Sequence, residues 1–572
     1  MDRRFILAIL LMMVVLVVPS FFLKKPATPV SQAAAPAVPV DSLQTPAVID
    51  APPGSMPSPL TVESDAPAAD DSVTVVSPLY RYTFSTRGGR MVAAELSSYR
   101  SMRRDEPGQR AQIFAPDGDF LTLGLLVGRD TIPLRNLAFR PTTTSLDVAG
   151  GPTRLGFTAA LDSAVGVDLE YTFLPDDYRI GVTGRVRGLG PAGATVLIGL
   201  GPGLRNTESD SVEHGRELGV VTKHTKSSLK RFSDLDVGLT ETLPGPFEWV
   251  GIKSKYFVAA VLALDSARVG QGRLGGVQAT ATDRLHRTPE RADVWTSLSV
   301  GADGAMAFTL YVGPMEYPRL RSIGHDFDDI NPYGWAWLRP VIRPVAVGAR
   351  ALLVWMHESL GLAYGLGLVA FGILIRIVLW PLNQKAMRAG MAMQAVQPIL
   401  KDIQERYKND PQKLQQETFR IYREHKVNPF GGCWPILLPW PVLIALFFVF
   451  QNTIELRGQS FLWVPDLSRA DPTFIIPVVM AVSMFGVTKV GQMGLPPNPQ
   501  MKMMLYIMPV MMLVLFFNFA SGLNLYYAVQ NIASIPQQWL IAKERLRNAP
   551  AVTPAPIPPA PPPKKAKKKQ QG

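Results

Sequence analysis

Residues 361–382 read GLAYGLGLVAFGILIRIVLWPL, twenty-two residues whose only charge is Arg376. About 20 consecutive apolar residues match the ~30 Å hydrocarbon core of a bilayer, so this stretch predicts a spanning helix. An arginine inside such a helix is costly unless it faces protein or a wet cavity. Pro381 marks one end of the span, and at a rise of 1.5 Å per residue Arg376 stands ~8 Å inside it. Two readings follow: the side chain snorkels to the headgroups, or it lines an aqueous pocket that attracts acidic or polar peptide groups.

Working outward, four further apolar stretches lie at 433–450, 472–488, 503–520 and 521–542. Three are only 17 or 18 residues long, near the lower limit for a span, which implies local bilayer thinning or stabilisation by packing. At the other end, residues 5–23 (FILAILLMMVVLVVPSFFL) follow Arg3 and Arg4. They exceed the ~7–15 residues of a secretory h-region and read as an uncleaved signal anchor, residues 1–23. The core therefore reads as all-α and polytopic over 361–545, with six transmembrane helices in the whole chain.

Between anchor and core the pattern changes twice. Residues 24–78 hold eleven prolines and few large apolar side chains, the composition of an extended linker. Over 79–325 apolar residues alternate with polar ones, as in Tyr80, Tyr82 and Phe84, then Val167, Leu169, Tyr171 and Phe173, then Met306, Phe308 and Leu310. With glycine-rich turns such as Arg87-Gly88-Gly89-Arg90, this predicts a soluble all-β sandwich. Residues 326–360 form a connector that ends in an amphipathic helix at the membrane interface, 343–360. Val347, Leu352, Trp355, Met356 and Leu360 are expected near one face, with Arg350, His357 and Glu358 elsewhere.

The 572 residues carry 58 Lys+Arg against 46 Asp+Glu, a net charge of +12. Such an excess fits either a nucleic-acid partner or the orientation charge of a membrane protein. Divided by the predicted topology, +14 falls on the side of both termini and −4 on the side of the β-domain, the loop at 451–471 included. That is the positive-inside pattern, with both termini in the cytoplasm and the large domain outside.

One cysteine, Cys433, excludes a disulfide framework and a cysteine zinc site. Six scattered histidines form no ligand pair, and Gly324-His325-Asp326-Phe327-Asp328-Asp329 reads as a solvated linker rather than a metal site. No Walker loop, GxSxG or HExxH is present, so no enzyme activity, metal or cofactor is expected.

The last span carries Asn524, Tyr527, Asn531, Ser534 and Gln538 at helical 3/4 spacing, and Asn518 ends the span before it. This stripe either bonds neighbouring helices, as polar groups in membrane bundles do, or lines the pocket of Arg376. The loop 383–428 repeats apolar residues every fourth position from Met391 to Tyr407 and resumes at Leu414 after Asn409-Asp410-Pro411, which predicts a cytoplasmic helical hairpin. The tail 546–572 combines eight prolines with a lysine run and is expected to be disordered.

Over 361–545 these motifs resemble the YidC/Oxa/Alb family of membrane protein insertases, in the YidC-type form of Gram-negative bacteria. The likeness rests on Ile375-Arg376 with Trp380-Pro381-Leu382, on Lys426-Val427-Asn428-Pro429-Phe430-Gly431-Gly432-Cys433-Trp434-Pro435, and on Ser521-Gly522-Leu523 with Leu525-Tyr526-Tyr527. Thr86-Arg87-Gly88-Gly89 and Tyr311-Val312-Gly313-Pro314 add to it in the β-domain. The resemblance implies a five-helix core around a hydrophilic groove and a periplasmic β-supersandwich, in the bacterial inner membrane. It makes Arg376 the groove arginine and Tyr527 a groove tyrosine; on the pocket reading of the polar stripe, Asn518, Asn524 and Asn531 join them. Trp440, Leu443, Phe447, Met508 and Met512 would form an apolar slide for the substrate, while Pro381, Gly431, Gly432, Cys433, Pro435 and Pro441 would be structural. Pro439-Trp440 before Pro441, Gly372 and Ala520 depart from the family pattern and leave the groove wall less polar.

The function so implied is insertion and chaperoning of membrane proteins, alone or with the Sec translocon. The partners would be nascent membrane proteins, the Sec translocon and its accessory subunits, the signal recognition particle and its receptor, and membrane lipids. The lysine-rich tail could add ribosomal RNA through phosphate affinity. A secondary transporter for a small anion and an envelope structural or sensor protein are the alternatives.

Overall fold

Alternation of the kind seen at 166–173 buries one face of a strand, and a second layer must cover it. In the computed structural model those strands form a β-domain of three sheets. The model describes residues 71–547 apart from 116–117, 119, 162–164, 189–192, 265–271, 283–290, 336, 386–387, 389–395, 409, 426–439 and 496–498. The expected anchor 1–23, the motif residues Gly431, Gly432, Cys433 and Pro435, and the basic tail lie outside the described residues.

Among the described residues the sheets have nine, six and five strands. At the centre of the nine-stranded sheet, Ala305–Pro314 pairs antiparallel with Phe257–Leu262 on one side and Arg179–Arg187 on the other. Met306, Phe308 and Leu310 are buried as their alternation predicts, but so are Ala307, Thr309 and Tyr311 between them. Alternation finds one covered face; here both are covered, because the other layers pack on both sides. Tyr80 and Tyr82 stack with ring centroids 3.9 Å apart. The buried Tyr82 hydroxyl donates to Val312 O at 2.5 Å, and the Tyr171 hydroxyl to Gly89 O at 2.9 Å, so neither is left unsatisfied in the core. In the Arg87–Arg90 turn, Gly88 has φ +80°, and a Cβ there would meet Arg135 Cα at 2.8 Å, so glycine is required.

The domain is wider than the expected 79–325. Its first strand is Ser72–Val76, inside the predicted linker, with Val73 and Val75 buried and an antiparallel register against 81–85. Five residues hold too little alternation to stand out beside a proline-rich run. At the far end Phe327 and Ile330 join the same core. The 324–329 cluster is consequently no solvated linker. Asp326 pairs with Lys223 at 2.7 Å, Asp329 with Arg339 at 2.8 Å, and the buried Asp328 with Arg343. Among the described residues no acidic or histidine group is arranged to hold a metal.

The C-terminal region is helical: α1 (Arg339–Leu360), α2 (Tyr364–Val378), α3 (Gln397–Arg406), α4 (Pro411–Glu424), α5 (Trp440–Asn452), α6 (Ile475–Gly491), α7 (Pro499–Phe516) and α8 (Ser521–Arg547). Helices α1, α2, α5, α6 and α8 pack around one apolar cluster that includes Leu353, Leu368, Leu446, Met480 and Leu523. Among the described residues no helix is long and apolar enough to cross a membrane; α2 has 15 residues, α5 13, α6 17 and α7 18. Their outer faces are nevertheless apolar and exposed, with Ile373, Ile377 and Val378 on α2, Val478 and Val482 on α6, and Ile507, Val510 and Val514 on α7.

Helix α1 turns differently from its predicted amphipathic face. Ile342, Ala346, Ala349, Leu353 and Met356 point inward, while Trp355 and Leu360 are exposed. Arg350, expected away from the apolar face, is buried and paired with Glu455 of the 451–471 loop. The hairpin is α3 against α4, closed by Val396, Leu400 and Ile421. Asp410 caps α4 by accepting from Lys413 N at 3.1 Å, with Pro411 in the first turn.

Candidate functional site

Arg376 lies in the last turn of α2 and is half-buried. Its Nη2 donates to Gln537 Oε1 on α8 at 2.7 Å, and Gln537 Nε2 donates onward to Trp380 O at 3.0 Å. Among the described residues no carboxylate pairs with Arg376, and its Nε is buried without a partner. Arg343, Arg350 and Arg457 by contrast each meet a carboxylate. A neutral amide therefore holds the one cation of α2, in surroundings where burying a charge is expensive.

The α2–α8 seam above this pair is tight. Gln530 Nε2 donates to Gly372 O at 2.7 Å, and the Phe371 and Tyr526 rings lie 5.9 Å apart. A Cβ on Gly372 would meet Val529 Cγ1 at 2.9 Å, so the absent side chain sets the closeness of the helices.

The predicted polar stripe faces elsewhere. Asn524 is fully buried and donates to Phe516 O at 3.0 Å and Phe519 O at 3.4 Å, capping the end of α7. Asn531 donates to Ser483 Oγ at 3.1 Å and Met480 O at 3.4 Å on α6. Tyr527 packs its ring 5.7 Å from Phe516, and Asn518 is exposed in the α7–α8 turn. These bonds go to neighbouring helices, the first of the two readings of the stripe, and Arg376 is served by a second polar row, Gln530 and Gln537. That row escapes notice because Gln530 and Gln537 lie next to Asn531 and Gln538, which belong to the more conspicuous stripe. Of the expected slide, Trp440 is exposed; Leu443, Phe447, Met508 and Met512 are half-buried, with the Phe447 ring tilted against that of Phe519 at 5.6 Å. Pro381 opens a further helical turn at 380–385, and Pro441 sits in the first turn of α5.

The far end of the bundle is closed by the loop 453–474. Asp471, fully buried, accepts from Thr473 N, Thr473 Oγ1 and Ile476 N at 2.9, 2.7 and 2.8 Å, which anchors the start of α6. Ser521 N donates to Arg469 O at 2.6 Å and Gly522 N to Leu467 O at 2.9 Å, tying the start of α8 to the same loop. Arg457 joins that loop to the β-domain. Its Nε donates to both carboxylate oxygens of Glu208 at 2.9 and 3.1 Å, and its other nitrogens donate to Arg100 O and Thr207 O.

Two family models match the chain: "60Kd inner membrane protein" over residues 355–548 and "YidC periplasmic domain" over 72–342. A "Membrane protein insertase YidC" of Chlorobaculum parvum is 32% identical, covering 82% of this chain and 81% of the relative. The chain belongs to the YidC family of membrane protein insertases. One of Prosthecochloris aestuarii is 31% identical across 100% of this chain and 99% of its own. A solved structure, "Active YidC insertase crystal structure with the first transmembrane domain resolved", is 16% identical, covers 82% of this chain and 93% of its own, and has a TM-score of 0.34. The family assignment rests on the sequence matches. The YidC family is one of inner-membrane insertases with a periplasmic domain, not of enzymes, and this sets aside the transporter and sensor alternatives.

Proposed function

We propose that this chain inserts nascent membrane proteins through a polar site centred on Arg376, which receives the hydrophilic segment that must cross. The observation that carries this is the guanidinium of Arg376 in a helix with an exposed apolar outer face, held only by Gln537 among the described residues. Such a cation lowers the cost of bringing peptide charge or dipole into a thinned bilayer, since desolvation is the main barrier. The substrate's apolar segment then passes along Trp440, Leu443, Phe447, Met508 and Met512 into lipid, and its burial drives the step without nucleotide. In this reading 5–23 and the five core segments span the inner membrane, short spans thin it, and both termini face the cytoplasm. The closed end at 453–474 then faces the periplasm. The hairpin α3–α4 serves targeting by the signal recognition particle and its receptor, the Sec translocon acts beside the core, and the lysine tail meets the ribosome.

The test is insertion into proteoliposomes by wild-type and Arg376→Ala protein, with one single-span substrate carrying either a charged or an uncharged translocated tail. The charged tail should lose about tenfold more than the uncharged one, the equivalent of ~1.4 kcal/mol. Equal insertion of both tails by both proteins would overturn the reading.

A further inference from the structure

Gln537 sits at the centre of the α2–α8 seam, 1% exposed, and uses both ends of its amide: Oε1 accepts from Arg376 and Nε2 donates to Trp380 O. Gln530, two turns earlier on the same face, holds Gly372 O, the carbonyl four residues before Arg376. The turn that carries the arginine is thus fixed from α8 at both ends, while the guanidinium meets only a neutral acceptor. The bond to Gln537 is assisted by the charge of its donor alone, whereas a carboxylate adds a charge of opposite sign and can take two guanidinium nitrogens at once. Arg376 keeps Nε unpartnered beside the nitrogen that Gln537 holds.

We propose that Gln537 sets the substrate specificity of the site: it is a neutral placeholder on Arg376 that an acidic segment of the substrate displaces. This rests on the groove reading of Arg376 and adds to it the residue that holds the arginine before the substrate arrives. With glutamine at 537 the arginine is kept oriented yet available, so an incoming Asp or Glu side chain exchanges a neutral hydrogen bond for a bidentate ionic one. An acidic residue at 537 would close the site by pairing with Arg376 itself. An apolar one would leave the arginine unoccupied, free for the carboxylate but no longer held to α8.

The experiment uses the full chain in proteoliposomes and one single-span substrate in two forms, its translocated tail carrying Asp and Glu or the matching Asn and Gln. Gln537→Glu should slow insertion of the acidic tail about tenfold more than that of the amide tail, each relative to wild type. Gln537→Met should keep acidic-tail insertion at or above the wild-type rate. A merely structural glutamine would instead lower both tails alike in both variants, and that result, or no effect of Gln537→Glu on either tail, overturns the proposal. Arg376→Ala runs beside them. If it treats the two tails alike, the groove reading fails; if it separates them and Gln537→Glu does not, only the placeholder fails.

Discussion

Arg457 ties the helical core to the β-domain through Glu208, Arg100 O and Thr207 O, and its removal has a calculable cost. The side chains of Arg457 and Glu208 are 4% and 11% exposed, in contact at 2.9 Å. The guanidinium also lies 5.8 Å from the Tyr256 ring centroid and 5.4 Å from that of Phe257. Arg457→Ala would leave the Glu208 carboxylate buried with only the Thr207 hydroxyl, at 2.9 Å, of the partners described. Breaking a buried ion pair by removing one partner costs about 3–5 kcal/mol, chiefly because the other charge is stranded. Glu208→Gln on the Arg457→Ala background removes that charge and should recover about 1–2 kcal/mol, a coupling readable in a double-mutant cycle. The assay is thermal unfolding of the purified chain in detergent, with limited proteolysis reporting whether the β-domain and the core still unfold together. Wild type should show one joint transition and Arg457→Ala two, the core transition falling first. An unchanged melting profile, or no recovery in the double variant, would refute the reasoning.

Two further outcomes follow from other contacts. His214, 2% exposed in the short helix Ser211–Glu217, is held below its ordinary pKa by burial. The unfolded chain therefore binds a proton there, near pH 6.5, that the folded chain refuses, so stability falls as pH drops below about 6.5. Denaturant unfolding at pH 7.5 and 5.5 should show that loss in wild type and a smaller one in His214→Gln; equal slopes would contradict it. Asn524→Ala strands the Phe516 and Phe519 carbonyls at the end of α7 and should cost about 1–3 kcal/mol in thermal unfolding. Insertion by the folded fraction should persist, since Asn524 is not exposed.

Much of the architecture is legible in one dimension because hydropathy and charge are one-dimensional signals. The apolar run around Arg376, the alternation of 166–173 and the basic balance of one side need no knowledge of contacts. The site's partner is different. Asn524, Tyr527 and Asn531 form the more conspicuous row on α8, yet their contacts run to α7 and α6, and Gln537 is chosen by the rotation of α8 against α2. The closeness of Gly372 to Val529 fixes that rotation. A small residue one turn before the arginine marks where another helix approaches, but not which glutamine it brings. The Arg457–Glu208 joint spans 249 residues of sequence and has no local signature at all. The inward turn of Arg350 likewise depends on Glu455, supplied by a distant loop that apolar periodicity does not see.

The central claim, that the polar site at Arg376 receives the hydrophilic part of a substrate, is tested most directly by photo-crosslinking to an arrested nascent membrane protein. A photoreactive residue would replace Gln530, on the α2–α8 seam, or Val514, exposed on the outer face of α7. The account predicts adducts with the substrate's hydrophilic tail from position 530 and not from 514. Tail adducts from 514 alone, or equally from both, would contradict it.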